Sequence, residues 1–200
     1  EENIHGYFWG RADGHPNEKA FRRYGIPSNW MNWGAYYDRF DIVKEPNEAN
    51  RFGWIVEIDP LDPKSVPIKR TAMGRFKHEG ASGTINRDGR YVVYSGDDER
   101  FEYVYKFVTK NRVNRRNRKA NRELLDAGTL YVARFGADGT GEWLPLVHGS
   151  GNVTVDNGFR DQGDVVVHAR LAADAQGATR MDRPEDIEVS PRTGKVYVML

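Results

Sequence analysis

Residues 77–93 read KHEGASGTINRDGRYVV, and residues 183–198 read RPEDIEVSPRTGKVYV. In both, a cation stands two positions before a glutamate: Lys77 before Glu79, and Arg183 before Glu185. A strand-like stretch, a glycine turn and a return strand follow, the glycine falling ten residues after Glu79 and nine after Glu185. In the first copy Asp88-Gly89 supplies the positive-φ residue that a tight hairpin needs. A recurring unit built from strands is the signature of a radial or stacked β architecture, and the propeller is its commonest closed form. There the start of each blade's inner strand faces the central channel, so the repeat predicts Glu79 and Glu185, each with its cation, around one cavity. The plainer alternative is that two hairpins of a β protein resemble each other by chance and that a glutamate before a strand is solvated.

The flanking sequence keeps the same rhythm. Phe52–Asp59 (FGWIVEID) alternates, with Trp54, Val56 and Ile58 on one face; Phe101–Val108 and Thr129–Phe135 alternate likewise, so a meander is expected. Helical pattern is confined to Asn121–Ala127 and to Asp164–Ala175, the latter with Asp164 as cap and Gly177 as stop. Residues 1–51, rich in Trp, Tyr, Gly, Asn and Pro, have no period and are expected to form an ordered excursion that covers rings such as Trp9, Trp30 and Trp33. The fold class expected is mainly β: part of a β-propeller with short helical insertions, residues 52–200 forming the blades. An apolar strand at Val196–Leu200 and an opening at Glu1-Glu2-Asn3 fit an internal piece of a longer chain, with the remaining blades on both sides.

Composition narrows the chemistry. The 200 residues hold 30 basic and 29 acidic side chains, a net charge of +1, with no cysteine. The mean hydropathy of −0.74 excludes a membrane-spanning helix. Lys110–Arg122 contains seven cations and no acid, so removing it from a net +1 leaves −6 on the rest. That run has no aromatic for base stacking, and a solvated loop is expected rather than a nucleic-acid surface. No nucleophile elbow, phosphate loop, zincin helix or EF-hand spacing is present. What the chain offers is carboxylate, including Glu1, Glu2, Glu79, Glu185 and Asp186, and oxygen ligands without thiolate suit hard cations such as Ca²⁺ or Fe³⁺. Arg183 beside such ligands is matched to phosphate. His78 is kept as a candidate because it adjoins Glu79, whereas His168 and the run Asp97–Glu99 are expected to be a packed imidazole and a solvated loop.

Four stretches carry a resemblance: Phe52–Ala81 (FGWIVEIDPLDPKSVPIKRTAMGRFKHEGA), Tyr94–Val108 (YSGDDERFEYVYKFV), Leu124–Trp143 and Arg170–Val198. Together they resemble the PhoX-type alkaline phosphatases. The resemblance implies a secreted, periplasmic or extracellular, β-propeller phosphomonoesterase, monomeric as the complete protein. It would act on small phosphate esters, with a ferric and calcium cluster in its channel and no nucleic-acid or membrane partner. It implies Glu79 and Glu185 as metal ligands, Glu1 as a further one next to a cysteine that precedes it in the family's T-C-E-E-N segment, and Arg183 as the phosphate clamp. A phosphate-facing Lys77 rests on the echo with Arg183. The 200 residues alone are expected to be inactive. A non-catalytic propeller binding module and a lactonase-like calcium-dependent propeller hydrolase remain the alternatives.

Overall fold

A computed structural model describes residues 1–200. The strands are β1 (Val56–Glu57), β2 (Ile68–Lys69), β3 (Ser82–Ile85), β4 (Arg90–Gly96), β5 (Arg100–Glu102), β6 (Val104–Arg112), β7 (Gly128–Phe135), β8 (Gly141–Pro145), β9 (Met181–Asp182), β10 (Ile187–Val189) and β11 (Val196–Val198). Three short helices accompany them: α1 (Glu18–Arg23), α2 (Gln162–Val167) and α3 (Ala169–Gln176). The chain is therefore mainly β, with antiparallel sheets and short helical pieces.

Five strands form one antiparallel meander in the order β3-β4-β6-β7-β8. Its first turn is the Asp88-Gly89 hairpin read from the sequence, with Gly89 at φ 85° and Ile85 paired to Tyr91. Alternation along β6 divides the sheet's two faces. Tyr105 and Phe107 join Val93, Leu130 and Val132 in a core closed by Val165, Ala169, Ala172 and Ala173 of α2 and α3. Val104 and Ala133 instead meet Ile187, so the β10–β11 hairpin covers the other side. Each fully buried large apolar side chain in these layers contributes roughly 1.5–3 kcal/mol.

The N-terminal excursion is ordered, with its own cluster of Ile4, Phe8, Phe21, Tyr24, Ile26, Ile42 and Ala49. The aliphatic and phenyl groups make that cluster, and the indoles do not: Trp9, Trp30 and Trp33 are all exposed, Trp30 to 63%, and only Trp54 is buried. Phe52–Asp59 yields just the two-residue β1, with Ile58 exposed, because Asp59 turns the chain by accepting from the Leu61 amide. Phe101–Val108 is interrupted: Phe101, at φ 68°, is a bulge inside β5 with its ring in solvent, and Tyr103 separates β5 from β6. The expected helix at Asn121–Ala127 is two 3₁₀ turns, Arg118–Asn121 and Leu124–Asp126. The second helix is split at His168 and capped by Asp161, whose carboxylate accepts from the Asp164 amide, while Gly177 ends it at φ 69° as expected.

Candidate metal and phosphate site

The two echoing segments meet at the β4–β5 corner. The Glu79 amide donates to the Gly96 carbonyl (3.2 Å) and the Asp98 amide to that of Lys77 (3.0 Å), so 77–79 runs beside 96–98. From the other side β9 pairs with β5, Arg100 opposite Asp182, which delivers Arg183 to the same corner. Gly96 makes this approach possible: a Cβ there would overlap the carbonyl oxygens of Pro184 and Glu185.

Glu2, Glu79 and Asp98 each place a carboxylate oxygen so that the three lie within 4.8 Å of one another. Arg183 Nη2 donates to Asp98 Oδ2 at 3.0 Å and lies 2.7 Å from Glu185 Oε1. Arg183 itself sits in the left-handed region at φ 56°, a conformation a non-glycine residue adopts only where its surroundings require it. Partial burial, followed by the charges of Glu2, Asp98, Asp186 and Glu185, raises the proton affinity of Glu79 above the usual carboxylate range. Asp98 is 8% exposed at its side chain, and its Oδ1 is buried with no hydrogen-bond partner. An orphaned buried oxygen beside two more carboxylates, with surplus negative charge, is a donor set that fits a hard cation.

The sequence-derived candidates separate here. Glu79, Glu185 and Arg183 converge. Glu1 does not join them: its Oε2 accepts from the amides of Gly53 (2.7 Å) and Trp54 (3.3 Å), and Glu2 stands in the cluster. Lys77 is buried, and its Nζ is held by Glu99 at 2.8 Å rather than turned to a phosphate, with burial lowering its proton affinity. His78 is a packing residue. Its ring packs at a 32° tilt against Phe76, 3.6 Å between centroids, Nε2 meets the Gly74 carbonyl and Nδ1 the Ser95 hydroxyl, and burial pushes its pKa down to about 3. Asp97–Glu99 is no solvated loop, since Asp97 is fully buried against Arg170. Pattern reading held Glu2 only in its general list of carboxylates, set Asp98 aside within a solvated loop, and missed Arg170. The Asp97-Asp98-Glu99 run between two strands was the visible signal for the second; nothing in the sequence marked the third.

The family model for alkaline phosphatase PhoX matches residues 1–200. The chain belongs to the alkaline phosphatase PhoX family. Among solved structures it is similar to Pseudomonas fluorescens PhoX in complex with vanadate, a transition state analogue, with 52% sequence identity and a TM-score of 0.95. That alignment covers 99% of this chain and 36% of the other, so the chain spans about a third of the length of that relative. No curated protein matches.

A surface cavity of about 690 Å³ lies elsewhere, between the loop at Asp59–Val66 and the turn at Arg118–Arg122. Two of its cations are paired, Arg118 with Asp59 at 2.8 Å and Arg70 with Glu57 at 2.7 Å, while Lys119 and Arg122 also line it. The β4–β5 corner carries the opposite surplus, of carboxylate. The basic run divides between the end of β6 and an exposed turn held by Asn114 and Asn121, a solvated excursion as expected.

Proposed function

We propose that this chain supplies part of the catalytic centre of a phosphomonoesterase that releases inorganic phosphate from organic phosphate esters. In this reading the five-stranded meander is a blade of a β-propeller completed by other segments of a longer protein. The observation that carries the proposal is Arg183 lodged between Asp98 and Glu185 at the edge of the Glu2–Glu79–Asp98 cluster. The likeness to a vanadate-bound phosphatase supports it, since vanadate in that relative is described as a transition-state analogue.

Glu2, Glu79 and Asp98 would hold the cation, with Ca²⁺ and Fe³⁺ the ions we propose. Bound there, such ions would supply Lewis-acid neutralisation of phosphate charge. The chain's own contribution is orientation. Both carboxylate contacts of Arg183 use Nη2, the nitrogen shared by the two forked edges of the guanidinium, leaving Nε–H and Nη1–H as separate donors on different edges, either of which would meet a single phosphoryl oxygen. Those contacts also keep the guanidinium charged and fixed, so little reorganisation is required as charge spreads over the equatorial oxygens in the transition state. The test is phosphate release from p-nitrophenyl phosphate by the full protein. Arg183→Ala should lower kcat/KM by about 10²–10³-fold, the usual cost of removing a preorganised donor, and chelation should abolish turnover. Unchanged turnover in Arg183→Ala would overturn the proposal.

A further inference from the structure

Arg170, the second residue of α3, is fully buried and distant in sequence from Glu2, Glu79 and Asp98. Its Nε donates to Asp97 Oδ2 at 2.8 Å, its Nη2 reaches Asp97 Oδ1, and its Nη1 donates to Glu99 Oε2 at 2.7 Å. One guanidinium therefore grips the residues on either side of Asp98. Lys77 closes the same knot, its amide donating to Asp97 Oδ1 at 3.2 Å and its Nζ to Glu99. Burial works against the charges of Arg170 and Glu99, yet their mutual attraction prevails and holds both ionised. The helix that carries Arg170 is itself fixed in the main core through Ala169, Ala172 and Ala173, and the guanidinium lies 5.1 Å from the Tyr24 ring centroid.

We propose that Arg170 is a positioning residue for the cation site: by binding Asp97 and Glu99 together it sets the backbone of Asp98 and aims that carboxylate at Glu2 and Glu79. It takes no part in the chemistry and touches no ligand of the site. The charge arithmetic makes this economical. The acids flanking Asp98 are neutralised inside the protein, so Asp98 alone of the three stays available to a cation. The inference rests on the cation-binding reading above. Residues that orient metal ligands from behind typically account for about 10–100-fold in metal affinity.

The experiment is a Ca²⁺ titration into the metal-stripped full protein, followed by calorimetry, with thermal melting run in parallel. Arg170→Gln should weaken Ca²⁺ binding by about tenfold or more. Arg170→Lys should recover only part of this, because a single ammonium cannot reproduce the three-point grip on two carboxylates. Asp174→Asn serves as the structural control. It removes the partner of Arg23 and Tyr103 at the far side of the same buried network, and should lower the melting temperature without moving Ca²⁺ affinity. Should Arg170→Gln fail to fold, Glu99→Gln removes one of the two gripped acids at a half-exposed position and should weaken binding by a smaller factor, about threefold. Unchanged affinity in the folded variants, or an equal loss in Asp174→Asn, overturns the positioning role. Asp98→Asn separates the two readings: if it leaves Ca²⁺ binding intact the cation site itself is wrong, and if it alone abolishes binding only the role of Arg170 fails.

Discussion

Two clusters of acids sit back to back on the segment 97–99, and the protein treats them oppositely. Behind the segment, Asp97, Glu99, Glu102 and Asp174 are matched by Arg170, Lys77 and Arg23 in a buried lattice of ion pairs. In front, Glu2, Glu79 and Asp98 crowd together with Glu185 nearby, and Arg183 is the one cation bound to them. The first group is neutralised by folding and is part of the architecture. The second keeps an excess of negative charge that folding does not cancel. Uncompensated charge, rather than the number of acids or the size of a hollow, distinguishes the site from the scaffold.

The sharpest way to break this comparison is to remove one acid from each side. Asp97→Ala leaves Arg170 buried without its main partner and should cost about 3–5 kcal/mol, measured by urea unfolding. A loss below 1 kcal/mol would show the rear lattice to be dispensable. His78, buried against Phe76, Ser95 and the Gly74 carbonyl, adds a pH dependence. Its pKa is about 3 in the folded chain against an ordinary 6.5, so the unfolded chain takes up the proton first and stability is lost as pH falls from about 6.5 towards 3. Within that window the residue should steepen the decline by about 1.4 kcal/mol per pH unit, a slope that His78→Gln should remove from denaturation curves taken between pH 6 and 4.

At the front, Arg183→Lys keeps the charge but replaces a planar fork by a point donor, and should reduce kcat/KM for a phosphomonoester by about tenfold. Equal activity in the lysine variant would reduce the arginine to a general electrostatic role. The smallest effect should be the most diagnostic. Glu79→Gln relieves the repulsion that the exposed Glu79 shares with Glu2 and Asp98 and should leave metal-free stability unchanged or raise it by less than about 1 kcal/mol, while Ca²⁺ binding in the same titration is lost. A destabilised Glu79→Gln would place Glu79 with the scaffold.

The sheet was legible because its determinants are local. Asp88-Gly89 dictates a hairpin, alternation in Thr129–Phe135 dictates faces, and Gly177 dictates a helix stop. The convergence of Glu79 with Arg183 and Glu185 was visible as an echo, since the same supersecondary unit twice implies equivalent places in the fold. The echo misled at Lys77, because similar spacing does not specify which neighbour claims a side chain, and Glu99 claims it here. Arg170 left no local trace at all: it lies 73 residues beyond Asp97 on a helix whose pattern reports only its apolar side. Phe52–Asp59 was overread for the opposite reason, as its alternation is genuine but the side-chain hydrogen bond of Asp59 ends the strand before Ile58 can be covered.

Gly96 shows how the grip on Asp98 could be loosened without changing a single charge. The carbonyls of Pro184 and Glu185 occupy the volume a methyl group would need, so the distance between the arginine and its carboxylates is set by a side chain that is not there. An alanine at this position would act as a wedge, lifting the Arg183–Glu185 loop while every ionisable group remained. The spacing of the clamp is thus a steric dial, adjustable in steps of one carbon, and an engineer wishing to widen the site for a bulkier ester would begin at a residue with no chemistry of its own.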